Sequence, residues 1–571
     1  MSNPVGIFII GAGFSGLISA ILARKNNVSC VVIDKRDRDT ISQSNAHYLN
    51  AYTLEILVSL GLSIDELRKY SVDLDVSKRM VCCRTLNKTV GRIDLSEDPG
   101  YDVRFNRIGR FGAFLNIHCQ DLYRLLLDLA IDVGVDICWL HTVVDLNAHT
   151  GLVKVECLQS GDQYEQHCDF ILACDGASGP SVDLSHMPVQ NVCQYLDFIT
   201  IEALGSIESF VQDRALFYWV FHESMTACMV SFDLRKKQLL QIPILPGADA
   251  DLYLNQDHIR QCFSALCDVS PDQCEHEFSI KGRWNLKTSA LSSASKGKLF
   301  FLGDCLHQVL PAGGMGLNLA IADSYNLIWK LVHDLSFSRP RFSTSYQCER
   351  LSLSHEKLKQ SVLNYKGFLD MAKSFICVPD QLFKMGFNQF SSSFYSTWLQ
   401  GVQILNDTGH INQRELDQVI EQNKGHFDGI AMHNDFVYDS FLIHQPSQRR
   451  FYDLAVLSFR VFSGMRIQNF SCIYKGKCQQ IYDLLAYDAW TIVLHSDHME
   501  VSSLLDLITV KKQICVVDSF LHDNAFLPMN KDVFLLIRPD QIVAVVVDLS
   551  RNGEYDKLKT FLIEAFCPVL L

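Results

Sequence analysis

Three glycines and one carboxylate near the start of the chain have the types and the spacing needed to bind a dinucleotide. The segment Gly11-Ala-Gly-Phe-Ser-Gly16 follows an apolar run at residues 5–10, and Asp34 closes the next apolar run. The first glycine permits a tight turn, the second lets the backbone approach a diphosphate, and the third lets the next helix pack against the strand. The start of that helix attracts phosphate, and Asp34 is placed to bind ribose hydroxyls. The pattern predicts a dinucleotide site, although the glycines alone also fit a tight turn in an unrelated α/β domain.

A second glycine-rich segment lies near residue 310. An apolar run at residues 299–302 leads into Gly303-Asp304, and Pro311-Ala-Gly-Gly-Met-Gly316 precedes a helical pattern. An acid at the carboxyl end of a strand faces the ligand crevice of an open α/β sheet. A glycine-rich turn before a helix can stabilise a developing anion, and reduced flavin carries its negative charge at the N1/O2 edge of its ring. This segment therefore favours a flavin dinucleotide over a nicotinamide one.

The elements that position these residues are those of an α/β protein. Residues 5–34 have the pattern of strand, glycine turn, helix and strand, which predicts a right-handed βαβ unit in a parallel sheet. Residues 190–285 are rich in β-forming and aromatic residues and predict an antiparallel sheet, with Phe217-Tyr-Trp-Val-Phe221 as part of its core. Further helices are predicted at 120–130, 316–334, 345–375 and 555–566, and further strands at 142–159, 170–174, 299–302, 489–494, 513–517 and 533–547.

Length and composition restrict the class of protein. The chain has 571 residues, of which 48% are hydrophobic and 20% charged, as in globular proteins of several domains. The formal net charge is −13 and no lysine–arginine run stands out, which disfavours nucleic-acid binding. Glycines interrupt the apolar residues 5–23, so we expect neither a signal peptide nor a membrane span. The 20 cysteines have irregular spacing, which predicts a cytoplasmic protein with reduced thiols and no metal site.

Three fingerprints occur in order along the chain: the segment 11–16, Cys174-Asp175-Gly176 after an apolar strand, and Gly303-Asp304 with Pro311-Ala-Gly-Gly-Met-Gly-Leu-Asn318. With them the chain resembles the p-hydroxybenzoate-hydroxylase-type flavoprotein monooxygenases, in particular the phenol, hydroxyphenylpropionate and polyketide hydroxylase branch. The resemblance covers nearly the whole chain apart from about residues 376–435. Shorter similar stretches are Ala46-His47, Thr53-Leu-Glu55, Gln120, Asp323, Asn326 to Lys330, Tyr346, Glu349-Arg350, Gly464-Met-Arg466 and Ile537-Arg-Pro-Asp540.

The resemblance implies which residues bind FAD. Asp304 would bind the ribityl chain, Gln120 would contact the linker region, and Asp175 would lie where the cofactor and a nicotinamide donor meet. Gly316, Leu317 and Asn318 would meet the pyrimidine edge of the flavin ring. The full set of predicted cofactor-binding residues is Gly11, Gly13, Phe14, Ser15, Gly16, Asp34, Lys35, Gln120, Asp175, Gly303, Asp304, Pro311, Gly314, Gly316, Leu317 and Asn318. No motif identifies a catalytic base, and we interpret His307 as a packing residue.

The resemblance also implies the fold class, which is α/β. We expect a discontinuous Rossmann-like FAD-binding domain at 1–182 and 286–375, with an interleaved α+β substrate domain, built on an antiparallel sheet, at 183–285. A connecting region at 376–445 would precede a thioredoxin-like domain at 446–571. Because that last stretch contains no C-x-x-C pair, we interpret it as a structural or dimer-contacting domain, and the protein as a candidate homodimer.

The activity that the resemblance implies is hydroxylation of a phenolic or polyketide aromatic substrate by an FAD-dependent monooxygenase. NAD(P)H would reduce the flavin, and O2 would then form a flavin C4a-hydroperoxide above a substrate held between the FAD sheet and the β-rich segment. The chain has one G-x-G-x-x-G motif, which fits a nicotinamide that visits a groove briefly. The alternatives are a flavoprotein oxidase or tailoring enzyme, and a non-catalytic flavin-binding paralogue.

Three positions depart from the family pattern and suggest the alternative of a non-catalytic paralogue. Asn45, Tyr52 and Asp183 stand where basic residues are usual, and charge-assisted contacts to phosphate are strong. Their loss would weaken the binding of FAD or NAD(P)H unless other basic residues compensate. The candidates for such compensation are Arg92, Arg104, Arg107 and Arg110.

Overall fold

The computed structural model describes most of the chain. The described residues are 5–40, 46–98, 101, 108–245, 248–336, 342–375, 413–434, 436–446, 461–494, 501–508, 510–517, 519–520 and 533–566. Asn45, Arg104, Arg107 and much of the predicted connecting region therefore lie outside the described residues.

A mostly parallel sheet, called here the parallel sheet, is built around the first strand of the chain. Val5–Ile10 is apolar and almost fully buried, as expected for a strand covered on both faces. The strands follow one another across the sheet in the order Ser295–Lys296, Leu299–Phe301, Gln163–Ala173, Val5–Ile10, Cys30–Asp34 and Asp136–Trp139. Every neighbouring pair is parallel except the first. This arrangement confirms the predicted βαβ unit, and the predicted strand at 142–159 is a hairpin of His141–Asn147 and Leu152–Cys157.

Two helices that begin at the glycine-rich turns pack closely against each other. They are Phe14–Lys25 and Met315–Leu335. Ser15 Oγ donates to the Ala320 carbonyl at 3.3 Å, and Ser324 Oγ donates to the Ser15 carbonyl at 3.0 Å. The other helices of this half of the chain are Ala51–Ser59, Ile64–Lys69, Leu74–Ser77, Cys119–Asp132 and Pro180–Ser185, and the short strands Tyr48–Asn50 and Phe114–Asn116 pair with each other.

A second, mostly antiparallel sheet, called here the antiparallel sheet, confirms the prediction for residues 190–285. Among its described strands, Phe217–Phe221 and Arg79–Cys83 pair in parallel. In spatial order its strands are His307–Gln308, Glu277–Leu291, Val189–Leu204, Lys237–Ile244, Thr226–Asp233, Phe217–Phe221, Arg79–Cys83 and Thr89–Asp94. Successive side chains of a strand point to opposite faces. Tyr218 and Val220 therefore pack toward the helix Gln256–Leu266, while Phe217 and Trp219 face the other way. The hairpin at residues 79–94 belongs to this sheet, and the division of the chain into domains stays a prediction.

The remaining described elements include the predicted second α/β unit. Its sheet has the order Lys512–Val516, Trp490–Leu494, Val533–Ile537 and Val543–Asp548, with the first pair parallel and the others antiparallel. The helices Val501–Leu507 and Glu554–Phe566 pack together beside it, and a small sheet contains Lys477–Gln480, Ser471–Tyr474 and Ser519–Phe520. Assignment of this unit as thioredoxin-like stays a prediction. Between the two halves of the chain lie Gln347–Leu351, a π-helical turn, and the helices Ser352–Phe375, Gln413–Asp428 and Ile430–Asn434.

A buried cluster of charges joins this C-terminal unit to the long helices. Glu349 accepts hydrogen bonds from Arg538 Nη1 at 2.7 Å, Arg538 Nη2 at 2.8 Å and Lys330 Nζ at 2.8 Å. Arg538 Nε also donates to Asp540 at 2.9 Å, and the side chains of all these ion pairs are fully buried. Burial raises the pKa of the Glu349 carboxyl, but the charges of Arg538 and Lys330 outweigh burial and hold that pKa below its usual range.

Among the described residues, no helix is long and apolar enough to cross a membrane. The same residues contain no group of three or more His, Cys, Asp or Glu arranged to hold a metal ion.

Replacement of Arg538 by methionine should destabilise the protein strongly, because it leaves the buried carboxylates of Glu349 and Asp540 without their main partner. Removal of one partner from a buried ion pair costs about 3 to 5 kcal/mol. The measurement is the free energy of unfolding from urea titration of the full chain. The matched control is Arg551→Met, whose side chain is 70% exposed beside Asp548 and whose loss should cost about 0 to 1 kcal/mol. Equal stabilities of the two variants would contradict the structural role of the cluster.

Candidate functional site

A cavity of about 750 Å³ lies where the parallel and antiparallel sheets face each other. One wall follows the carboxyl ends of four parallel strands, at Ile10, Ile33, Cys174 and Leu302. The opposite wall is one face of the antiparallel sheet. Open α/β sheets bind ligands in the crevice outside the carboxyl ends of their strands. The cavity therefore lies where the sequence predicts the dinucleotide.

Hydrogen bonds to the N–H and to the carbonyl of Ala12 hold the first glycine turn, residues 11–16, in place. The Ala12 N–H donates to Asp34 Oδ2 at 2.7 Å, and the Ala12 carbonyl accepts from the Tyr123 hydroxyl at 3.0 Å. These two bonds fix the backbone that follows the first strand. The turn is thus preformed on the edge of the cavity.

The glycines of this turn meet different surroundings. A Cβ atom at Gly16 would lie 1.9 Å from the Gly11 carbonyl oxygen, so close packing requires glycine there. A Cβ atom at Gly13 would have the Cys174 oxygen as its nearest neighbour, at 3.9 Å. Gly13 lines the cavity and borders open space, as the approach of a diphosphate to the backbone requires.

Asp34 ends the second parallel strand and is 5% exposed. Its carboxylate accepts hydrogen bonds from Arg36 Nε at 2.9 Å and Nη2 at 2.7 Å. Burial raises the pKa of this carboxyl, but the hydrogen bonds and charge of Arg36 outweigh burial and hold the pKa below its usual value. Asp34 also accepts from the Arg36 N–H at 2.8 Å and from the Ala12 N–H at 2.7 Å. These four donors fill the roughly four acceptor sites of a carboxylate, so a ribose hydroxyl would take the place of one of the bonds from the Arg36 guanidinium.

Asp304 follows the strand Leu299–Phe301 and exposes its side chain into the cavity. Within the part of the chain that the structure describes, its carboxylate has no hydrogen-bond partner. Burial by the surrounding protein raises the pKa of the Asp304 carboxyl, and the neighbouring His307 opposes that rise. An unpaired carboxyl group in a cavity fits a ligand that offers hydroxyl donors.

Asp323 fixes the loop that carries Asp304. It accepts a hydrogen bond from the Gly303 N–H at 3.0 Å, and it lies 2.8 Å from His307 Nε2 and 2.6 Å from Arg350 Nε. Asp323 and His307 are both fully buried. His307 therefore supports the loop through its contact with Asp323 and packs in the protein interior, in line with its interpretation as a packing residue.

Asp175 holds the neighbouring loop. Its Oδ2 accepts from the Ser181 N–H at 3.0 Å, and its Oδ1 lies 3.1 Å from the thiol sulfur of Cys305. Asp175 also lines the cavity. The carboxyl ends of two neighbouring parallel strands are thereby joined beside Asp304.

The second glycine turn, residues 311–316, leads into the helix Met315–Leu335. Gly314 has φ +62° and lines the cavity together with Gly316 and Leu317. The Asn318 side chain does not line the cavity. It donates to the carbonyls of Tyr48 at 2.9 Å and Gly314 at 2.7 Å, and its Oδ1 accepts from the Asn50 N–H at 2.9 Å. Asn318 therefore ties the turn to the strand Tyr48–Asn50.

His433 supports the same turn from the short helix Ile430–Asn434. Its Nε2 lies 3.1 Å from the Gly313 carbonyl oxygen, its Nδ1 lies 3.0 Å from Asn50 Nδ2, and its ring stacks on Tyr48. Burial lowers the pKa of His433 to about 3. The imidazole is neutral, so Nε2–H donates while Nδ1 accepts. Sequence reasoning missed His433 because residues 376–435 carry no similarity to a known pattern.

The structure brings most of the predicted residues to one cavity. Those that line it are Gly11, Gly13, Phe14, Ser15, Asp34, Lys35, Asp175, Asp304, Pro311, Gly314, Gly316 and Leu317. Gly16, Gln120, Gly303 and Asn318 do not line it. The basic residues that do are Lys35, Arg36, Lys78 and Arg79, of which sequence reasoning predicted one.

The positions that depart from the family pattern have other roles. The Tyr52 hydroxyl donates to the Asp540 carbonyl at 2.8 Å, and its ring lies under Arg466, so Tyr52 contacts the C-terminal unit. Asp183 is exposed and does not line the cavity. Arg92 and Arg110 do not line it either, because their guanidinium groups bind Glu97 and Glu55.

The wall formed by the antiparallel sheet is apolar and aromatic. Phe198 and Trp284 stack with ring centroids 4.9 Å apart, and the Trp284 N–H donates to Thr200. Trp219 contacts Phe427 of the helix Gln413–Asp428. The aromatic run at 217–221 was the sequence signal for this wall, but only alternate residues of the run face the cavity.

The residues present fit an FAD molecule. The open side of Gly13 suits the diphosphate, and two carboxyl groups, Asp34 and Asp304, suit hydroxyl donors on either side of it. The start of the helix Met315–Leu335 offers free N–H groups to an anionic ring edge.

Comparisons with known proteins agree with this geometry. Residues 4–361 match the family described as FAD binding domain. The chain is 21% identical to the 2,4-dichlorophenol 6-monooxygenase of Delftia acidovorans over 376 residues, which cover 62% of each protein. It is 22% identical to the p-hydroxybenzoate hydroxylase of Acinetobacter baylyi, over 68% of this chain and 98% of that one. The chain thus spans about three fifths of the length of the first of these relatives.

Solved structures show the same fold. The flavin-dependent monooxygenase PieE in complex with FAD and substrate has a TM-score of 0.82 and 17% identity, over 99% of both chains. The complex of aklavinone-11 hydroxylase with FAD and aklavinone has a TM-score of 0.76 and 16% identity, over 99% of this chain and 100% of that one. These findings confirm the resemblance to flavin-dependent aromatic hydroxylases. Because the family match covers more than half of its residues, the chain belongs to the FAD binding domain family.

Proposed function

We propose that the protein is an FAD-dependent monooxygenase that uses NAD(P)H and O2 to hydroxylate a phenolic or polyketide aromatic compound. The observation that carries this proposal is the continuity of the cavity. It runs from the first glycine turn and Asp34, past Asp304, to the aromatic wall of the antiparallel sheet. Such a cavity suits a long dinucleotide placed end to end with an aromatic substrate.

The geometry supports a proposed set of cofactor-binding residues. Gly13 and the start of the helix Phe14–Lys25 would hold the diphosphate, and Asp34 the adenosine ribose. Asp304 would accept hydrogen bonds from the ribityl hydroxyls. The second glycine turn would meet the pyrimidine edge of the flavin ring, where the helix dipole favours negative charge.

Bound FAD, once reduced by a nicotinamide, would activate O2, and one oxygen atom of that O2 would enter the substrate. The protein would position the substrate and the cofactor, exclude water from the reacting atoms and stabilise the charges that develop on them. Phe198, Trp219 and Trp284 exclude water from the substrate and offer flat surfaces for stacking. We propose an aromatic substrate because the wall is aromatic and because similar proteins are named for dichlorophenol, p-hydroxybenzoate and aklavinone.

The proposed domains are those predicted from the sequence, with the hairpin at 79–94 assigned to the substrate domain because its strands pair there. The C-terminal unit would be thioredoxin-like without redox function. Its βαβ pair followed by an antiparallel hairpin and a helix supports this assignment. A homodimer formed through this unit remains part of the proposal.

Replacement of Gly13 by alanine should lower FAD affinity at least tenfold without unfolding the apoprotein. The added Cβ enters the open space beside the turn, and loss of glycine at a helix N-cap costs at most about 1 kcal/mol. The measurements are the dissociation constant for FAD, from quenching of flavin fluorescence, and the melting temperature of the apoprotein.

Two other glycines supply controls for this variant. Gly16→Ala should lower both stability and FAD affinity, because its Cβ collides with the Gly11 carbonyl. Gly425→Ala should leave FAD affinity unchanged, because a Cβ atom there meets nothing within 4 Å. It should raise stability by about 0.5 to 1 kcal/mol, because alanine is favoured over glycine inside a helix. Unchanged FAD binding by Gly13→Ala would refute this placement of the diphosphate.

The proposed activity is tested by NAD(P)H oxidation with FAD-supplied protein and a panel of phenols and polyphenolic polyketides, against a no-substrate control. We expect one class of compound to accelerate the oxidation at least tenfold and to gain one oxygen atom from ¹⁸O-labelled O2. Substrate-dependent peroxide without labelled product would instead indicate an oxidase. Bound flavin with no acceleration by any compound would favour a non-catalytic paralogue.

A further inference from the structure

A histidine lies on the cavity wall between the second glycine turn and the aromatic side chains. His47 immediately precedes the strand Tyr48–Asn50, and its ring lines the cavity. Tyr48, the next residue, contacts the second glycine turn, because a Cβ atom at Gly314 would touch the Tyr48 ring. His47 is thus close to the proposed position of the flavin ring and lines the same cavity as the aromatic wall.

The imidazole of His47 is fixed in one orientation. Its Nδ1 lies 2.8 Å from Asn116 Oδ1, and the His47 carbonyl accepts from the Ile117 N–H at 2.8 Å. The ring packs between Phe217 and Phe232, at centroid distances of 5.2 Å and 5.6 Å. A side chain held by a hydrogen bond and two aromatic rings loses little further freedom when a ligand binds.

The hydrogen bond to Asn116 also determines which nitrogen carries the proton. An amide oxygen can only accept, so Nδ1 donates and Nε2 keeps a free lone pair. In the described part of the chain, Nε2 has no hydrogen-bond partner. Burial lowers the pKa of His47 to about 4, although the hydrogen bond to Asn116 opposes this shift. His118, across the ring of Phe232, is the nearby titratable group, and burial likewise lowers its pKa to about 4.

We propose that His47 accepts, at Nε2, a hydrogen bond from a free hydroxyl of the aromatic substrate and so sets the orientation of the ring, with Asn116 as the positioning residue for His47. This inference rests on the proposed function and narrows its substrate class to aromatic compounds that carry a hydroxyl donor. The hydroxyl keeps its proton in the bound state, because a neutral imidazole of low basicity does not remove it. The hydrogen bond strengthens as the ring gives electron density to the incoming oxygen, which favours the transition state over the bound state.

The test compares binding of 2-naphthol with that of 2-methoxynaphthalene, which has the same rings but cannot donate a hydrogen bond. Full-length, FAD-loaded protein is titrated with each compound while the flavin absorption spectrum is recorded. We expect the native protein to prefer the naphthol roughly five- to tenfold, as one hydrogen bond allows. His47→Phe should bind both compounds equally. Retention of the preference by His47→Phe, or its absence from the native protein, would overturn the proposal.

A matched control separates this role from packing. His118→Asn changes the other histidine beside Phe232, which does not line the cavity, and keeps a side chain able to cap the helix Cys119–Asp132. It should leave the preference for naphthol intact, and loss of the preference in this variant would count against His47 as its source.

The pH dependence gives a second readout. Protonated Nε2 cannot accept a hydrogen bond, so naphthol binding should be constant from pH 8 to 6 and weaken as pH falls toward 4, while binding of the ether should not change. Asn116→Asp should move this loss to higher pH, because a carboxylate beside Nδ1 favours the imidazolium. An unchanged pH profile in Asn116→Asp would contradict the positioning role. Binding is measured without NAD(P)H, so failure of the turnover assay leaves this result interpretable.

Discussion

Two adjacent, oppositely charged residues hold the two halves of this protein to the same helix. Glu349 and Arg350 lie in a π-helical turn, and both are buried. Arg350 reaches Asp323, which fixes the loop of Asp304, whereas Glu349 reaches Arg538 in the C-terminal unit. A π-helical turn changes the directions of neighbouring side chains and is frequent at functional sites. The loop that carries Asp304 and the C-terminal unit are therefore both fixed by this one turn of helix.

This arrangement explains why a unit without a redox motif contacts the FAD-binding part of the chain. The contacts include the Tyr52 hydroxyl on the Asp540 backbone and Arg466 over the Tyr52 ring. Tyr52 occupies a position where the family usually has a basic residue, and here it is an anchor for the C-terminal unit. A missing positive charge at that position is therefore no sign of a degenerate cofactor site. The cavity retains basic residues elsewhere, at Lys35, Arg36, Lys78 and Arg79.

The cavity combines two kinds of wall with different chemistry. The parallel sheet contributes carboxylates and backbone N–H groups at the ends of its strands, because its five parallel strands end at one edge. The antiparallel sheet contributes every second side chain of several strands, which gives a broad aromatic surface. The proposed cofactor and the proposed aromatic substrate would need these two environments side by side. Polar groups such as His47 lie where the two walls meet.

The sequence by itself determined the parallel sheet, the two glycine turns and the antiparallel sheet. Local patterns of glycine, apolar strand and helix fix these elements within a few tens of residues, and the matched family confirms the fold. Only the tertiary structure decided which predicted residues share a cavity. Asn318 directly follows the second glycine turn, yet its side chain does not line the cavity, because its hydrogen bonds to Tyr48, Gly314 and Asn50 direct it away. Likewise, His433 contacts Asn50 and Gly313, and Glu349 contacts Arg538, across long stretches of chain. A local pattern in the sequence does not show that such distant residues meet.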